Sequence, residues 1–227
     1  MPPSVTRNLA KFAVLAASAA ASNGLCAAAP DSTQSGSQFG TQINEPNFEI
    51  TPFIAHRGGG GFESGVTQED MSLSGSTGLA VAVNWPATEE GTQYELLYSR
   101  QKTDTGSSTP IDMTIEYLQL GGTAVIGDAA SRVVPFAAGG FGAARFSPGP
   151  SSLSQETRWA FNLGGGVRVP VAKHVRLRFE VRGYLTWVNG KSSLFCTSSD
   201  STAGCALSAK GETLFQYEAL GGVSIGF

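Results

Sequence analysis

The chain has 227 residues, a net charge of −3 and 41% hydrophobic residues, enough for one β domain of ordinary size and too polar for a bundle of membrane-spanning helices. The slight acidity excludes the basic surface that nucleic acid requires. Glycine is abundant, with 29 residues in GG and GGG clusters inside strand-like runs, where it permits curvature and close backbone approach.

Residues 1–28 read as a signal peptide: Arg7 and Lys11 supply positive charge, residues 12–21 form a short apolar run, and small residues follow up to Ala29. The run is too short and too Ala-rich for a membrane-spanning helix. Cleavage after Ala28 puts the small residues Cys26 and Ala28 where signal peptidase needs them. Cys26 raises the question of lipidation, but Leu25 precedes it where a lipoprotein signal has a small residue. Residues 29–46, rich in Ser, Gln, Thr and Gly and without periodicity, read as a flexible N-terminal segment.

Eight strand-like runs follow, at 47–57, 72–85, 93–101, 111–125, 132–146, 158–171, 175–187 and 213–227. Most exceed the ~9–11 residues that a tilted strand needs to cross a bilayer. The connections alternate in length. The long ones are 58–71, 102–110, 147–157 and 188–212; the short ones are 86–92, 126–131 and 172–174. All the long ones fall at one end, which is the outer-membrane pattern of extracellular loops and tight periplasmic turns. A soluble barrel or sandwich has no reason to sort its loops this way. The predicted fold is an all-β, eight-stranded antiparallel up-and-down transmembrane β-barrel over residues 47–227.

Face assignment rests on a period of two. In the last run Phe215, Tyr217, Ala219, Gly221, Val223, Ile225 and Phe227 share one face, opposite Gln216, Glu218, Ser224 and Gly226. In the seventh, Val175, Leu177, Phe179, Val181, Leu185 and Trp187 oppose Arg176, Arg178, Glu180, Arg182, Tyr184 and Thr186. So many charges on one face suit a polar lumen behind a lipid-facing wall and cannot sit in a dry two-sheet core. The pattern is less clean near 118–122 and 133–138, which either a bulge or a misassigned register would explain. Phe48, Trp85, Tyr94, Trp159, Trp187 and Phe227 mark strand ends, as interfacial girdles do.

Extending the alternation gives the predicted lumen charges: the acids Glu49, Glu95, Asp112, Glu116, Glu180 and Glu218, and the bases Arg158, Arg168, Arg176, Arg178 and Arg182. An eight-stranded barrel is only just wide enough for side chains to fill, and buried charges are costly unless paired. A closed plug of ion pairs is therefore expected. It reads as a structural polar core in the first place, and as a gate with exchanging partners in the second. Glu180, Arg182 and Glu218 are the best members, since the seventh and last strands bring them together.

Catalysis and metal binding lack a constellation. His174 lies in a tight turn and His56 on the lipid side of the first strand, neither beside a Ser or carboxylate at a suggestive spacing. The glycines Gly139, Gly140 and Gly142 have no helix after them, so they are no dinucleotide loop. No cofactor is expected. Cys196 and Cys205 sit in a polar stretch of an exported chain, where a disulfide is expected. A metal site is the weaker alternative, for want of a nearby His or carboxylate pair.

The chain resembles the small outer-membrane β-barrel proteins of the OmpA/OmpX-like superfamily from Gram-negative bacteria. The resemblance rests on the signal peptide, the eight alternating strands, the loop sorting and Gly226-Phe227, and on three strings: 94–101 (YELLYSRQ), 117–123 (YLQLGGT) and 135–142 (PFAAGGFG). Leu194-Phe195-Cys196 followed by Cys205 is similar too. It implies outer-membrane lipid as surroundings and folding by the barrel assembly machinery, which reads a closing strand ending in an aromatic; Phe227 matches that position. No peptidoglycan-binding domain follows the barrel, so wall tethering is not expected. The expected role is structural or surface-interacting, with extracellular ligands met through the loops and no catalysis. Alternatives are a narrow porin-like channel, a lipid-modifying barrel enzyme and a soluble lipocalin-like barrel.

Overall fold

The computed structural model describes residues 47–64, 70–105, 110–149, 154–188, 193–199, 202–209 and 213–227, all within the compact unit Gln42–Phe227. The predicted signal peptide and the predicted flexible segment lie outside the described residues. The strands follow in chain order: β1 (Glu49–Gly59), β2 (Gly61–Ser64), β3 (Asp70–Ser72), β4 (Ser76–Pro86), β5 (Thr92–Asp104), β6 (Asp112–Val125), β7 (Val134–Pro148), β8 (Glu156–Ala172), β9 (Val175–Trp187), β10 (Ser193–Ser199), β11 (Thr202–Ala209) and β12 (Thr213–Gly226).

Eight of these close into a barrel, in the order β1-β12-β9-β8-β7-β6-β5-β4. Every pair is antiparallel, and β12 closes the ring against β1 with Glu49 opposite Gly226 and Arg57 opposite Glu218. The barrel strands run from 11 to 17 residues, enough to cross a bilayer when tilted. The chemical reason for each strand is the alternation. From Arg178 to Trp187 in β9 and along β12, buried side chains alternate with exposed ones except at the glycines.

The outward positions carry the apolar wall. Ile54, Leu79, Leu118, Leu120, Leu163, Phe179 and Val181 are exposed there, an arrangement that only lipid makes favourable over so many strands. Aromatic pairs stand on this wall, Trp159 near one end and Trp85 with Tyr94 near the other. Phe141 and Trp159 stack at 5.2 Å, and Trp85 and Tyr94 lie 5.9 Å apart.

Two expectations are corrected. β6 and β7 pair without a shift from Met113 opposite Pro148 to Val125 opposite Phe136, so no bulge lies there. The hydropathy pattern blurs because lumen positions are taken by Ile115 and Tyr117 in β6 and by Ala138, Gly140 and Gly142 in β7. The register shift that does occur lies between Pro170 and Ala172, where proline has no N–H to give to the ladder. The second correction concerns the long connections 58–71 and 188–212, which are not plain loops. They supply β2, β3, β10 and β11, which pair in the order β10-β11-β2-β3 as a second sheet. These segments are only 3 to 8 residues long, too short for a hydropathy period to announce them.

Candidate functional site

The barrel interior is a layered polar core, and its layers follow from register. β5 and β9 stand on opposite sides of the ring, so a side chain from each must meet across the full lumen. Glu95 of β5 does this twice, taking Arg178 Nη2 at 2.5 Å on one carboxylate oxygen and Arg182 Nη2 at 2.7 Å on the other. Glu180 lies between these arginines on β9, 3.2 Å from Arg178 and 3.0 Å from Arg182. The four side chains form a neutral ring with almost no exposure. Asn84 accepts from Arg178 at 2.9 Å, and Asn162 accepts from Arg182 at 3.2 Å while donating to Gln119 at 3.1 Å.

A second cluster lies toward the end of the long connections. Arg57 Nη2 donates to Glu218 Oε1 at 2.7 Å, and the same oxygen accepts from Ser99 Oγ at 2.6 Å. Tyr184 Oη donates to the other Glu218 oxygen at 2.7 Å. The Arg57 guanidinium lies 4.6 Å from the centre of the Tyr117 ring and 5.4 Å from that of Tyr184, two rings themselves 4.3 Å apart, so the cation packs against the pair. Tyr117 Oη donates to Gln216 Oε1 at 2.8 Å. Above this layer an apolar cluster of Leu73, Met113, Ile115, Phe146, Val188 and Leu214 fills the mouth.

At the other end Arg176 pairs with Glu49 at 2.8 Å, and Thr51 shares a hydrogen bond with Ser224 at 2.7 Å. Arg168 donates to Thr123 Oγ1 at 2.8 Å and lies 4.5 Å over the Phe136 ring.

Of the sequence-derived charges, Glu49, Glu95, Arg168, Arg176, Arg178, Glu180, Arg182 and Glu218 face the lumen. Glu116 does not. The inward positions of β6 are Met113, Ile115, Tyr117 and Gln119, and Glu116 falls on the outer wall, where Tyr98 Oη donates to it at 2.6 Å and Arg100 Nε lies 3.8 Å away. Asp112 is outward for the same reason. Arg158 sits at the rim, paired with Glu156. The expected meeting of Arg182 with Glu218 does not occur. They are opposite in register, yet Arg182 is taken by Glu95 and Glu180, and Glu218 by Arg57 from its other neighbour. Arg57 was missed because its run ends on it; the alternation Glu49, Thr51, Phe53, Ala55, Arg57 carried the signal. Ser99, Tyr117 and Tyr184 complete the cluster, and no charge marked them.

The backbone register of β10 and β11 sets Cys196 directly opposite Cys205; their side chains lie outside the described residues. Phe227 is exposed on the outer face, its N–H bonded to Phe48 O at 2.8 Å. Among the described residues no group of His, Cys, Asp and Glu is arranged to hold a metal.

A closed antiparallel ring with an apolar outside and a charge-paired inside is the architecture of a transmembrane β-barrel. The family model of the outer membrane protein β-barrel domain matches residues 12–203, and the chain belongs to that family. No curated protein matches the sequence. Among solved structures, Neisserial surface protein A superposes with a TM-score of 0.57 at 14% identity, covering 80% of this chain and 97% of that one. The N-terminal β-barrel domain of Pseudomonas aeruginosa OprF gives 0.42 at 10% identity, covering 81% and 100%. E. coli Outer Membrane Protein W gives 0.39 at 16% identity, covering 81% and 98%.

Proposed function

We propose that the protein is exported through a cleaved signal peptide of residues 1–28 and serves in the bacterial outer membrane as a structural or surface-interacting barrel without catalysis. The observation that carries this reading is the filled lumen. The Glu95–Arg178–Glu180–Arg182 ring spans it from wall to wall, and the apolar cluster around Leu73 and Phe146 stands beyond it. A barrel plugged twice is a scaffold, and recognition then belongs to what it displays. The second sheet, drawn from the connections between β1 and β4 and between β9 and β12, is the surface offered to extracellular ligands. Ion conduction across a planar bilayer tests the reading against a narrow channel. The family resemblance further implies that the barrel assembly machinery recognises β12 with Phe227.

The Cys196–Cys205 disulfide belongs to this proposal. Cross-strand Cα atoms in an antiparallel pair lie roughly 4.5–5.5 Å apart, inside the roughly 4.4–6.8 Å that a disulfide needs. Alkylation of protein from the cell envelope, without prior reduction, should leave both thiols unmodified in the intact mass. Uptake of two alkyl groups before reduction would show free thiols and remove the disulfide from the account.

A further inference from the structure

We propose that the lumen binds a small inorganic oxyanion at the end of the short, periplasmic connections, with Arg168 as its principal ligand.

The charge inventory points there. Among the described residues, Arg57, Arg168, Arg176, Arg178 and Arg182 face the lumen, against Glu49, Glu95, Glu180 and Glu218. One cation is in excess, and the pairing identifies it. Each acid lies within 4 Å of an arginine: Glu49 of Arg176, Glu95 and Glu180 of Arg178 and Arg182, and Glu218 of Arg57. Arg168 has no carboxylate at that distance among the described residues, although it is only 5% exposed. The acids that act on it, Glu49 and Glu95, act from farther away and are already engaged. Arg178, directly opposite it in register, and Arg176 add to the positive potential.

An unpaired guanidinium buried in a narrow lumen is costly, and an anion that entered would be held by more than charge. Arg168 Nε is buried and has no hydrogen-bond partner in the protein. Thr123 Oγ1 accepts from Arg168, so its own proton is free to donate. Gln93 stands opposite Thr123 in the β5–β6 register, on the same inward face and 3% exposed, with an amide that can turn toward the same point. The Phe136 ring under the guanidinium fixes its plane. A planar fork with a hydroxyl beside it matches the oxygens of an oxyanion better than a halide.

The site is near the chain's tight turns: Arg168 lies four residues before the end of β8, Thr123 two before the end of β6, and Gln93 second in β5. Binding there leaves the Glu95 ring in place, so it is compatible with a lumen sealed to conduction. The test is independent of whether the barrel conducts. Uniformly 15N-labelled protein, refolded in detergent micelles, is titrated with inorganic phosphate while ionic strength is held with sodium gluconate, whose anion is bulky. The arginine Nε–Hε signals are followed by NMR. One signal should shift saturably, the shift should vanish in Arg168→Met, and Thr123→Val should weaken apparent affinity several-fold. Both variants are accepted only if they keep the heat-dependent gel mobility of a folded barrel. Absence of a saturable shift in the unmodified protein overturns the proposal, as does an unchanged shift in either folded variant.

Discussion

Glu95→Gln should cost about 3–5 kcal/mol of unfolding free energy, the range for removing one partner of a buried ion pair. Glu95 is the acid that joins the two sides of the barrel: β5 reaches β9 through its two oxygens. Glutamine keeps the size and one acceptor but removes the charge, leaving Arg178 and Arg182 to share Glu180 alone. The cost arises from that uncompensated charge, which water cannot reach. The rim pair offers the contrast. Arg158 and Glu156 are 2.5 Å apart, but their side chains are 27% and 17% exposed, so Glu156→Gln should cost about 1 kcal/mol or less. Urea unfolding of protein refolded into lipid vesicles, followed through Trp85, Trp159 and Trp187, measures both. Equal midpoints for the two variants would mean that the ring is not what ties β5 to β9.

Gly121→Ala should abolish folding. A Cβ at this position would overlap the Gly139 carbonyl oxygen and sit 2.5 Å from Gly140 Cα. Both obstacles are backbone of the paired strand, held at the roughly 4.7–4.9 Å spacing of a ladder, so neither gives way without breaking the β6–β7 pairing. Gly142 meets Leu118 O in the same manner, and Gly166 meets Phe179 O. At each of the three the paired backbone comes too close to admit a side chain. Gly139 is the control. A Cβ there would find Asn162 O at 3.6 Å and Leu163 Cδ1 at 3.7 Å, ordinary contacts, so Gly139→Ala should fold. Mobility on unheated gels reads the folded fraction directly. Equal folding of Gly121→Ala and Gly139→Ala would show that the close approach does not shape the barrel.

The barrel was legible where two environments differ sharply. β9 alternates Arg176, Arg178, Glu180 and Arg182 with Leu177, Phe179 and Val181, which sets the strand between two unlike environments. Legibility fell where the lumen itself is apolar. Ile115 and Tyr117 point inward with Phe146 and Leu214, so in β6 apolar character no longer marks the outer face and Glu116 was drawn to the wrong side. It disappeared in β2, β3, β10 and β11, which are only 3 to 8 residues long and so too short to show a period.

Pairing was less legible than facing. Register sets Glu218 between Arg57 and Arg182, and the sequence offers no reason to choose. The choice is made by Glu95, which approaches from the far wall, and a cross-lumen contact leaves no trace in the spacing of residues along a strand. For the same reason Arg168 reads from sequence as one more arginine. Only the assignment of every lumen acid among the described residues isolates it.

Single-channel recording of the purified protein in a planar bilayer tests the central claim, that the lumen is closed by the Glu95 ring and the apolar cluster beyond it. The account predicts a flat baseline for the unmodified protein at moderate voltage in concentrated salt. Steady, reproducible conductance steps from that protein, under conditions where the lipid alone gives none, would contradict it.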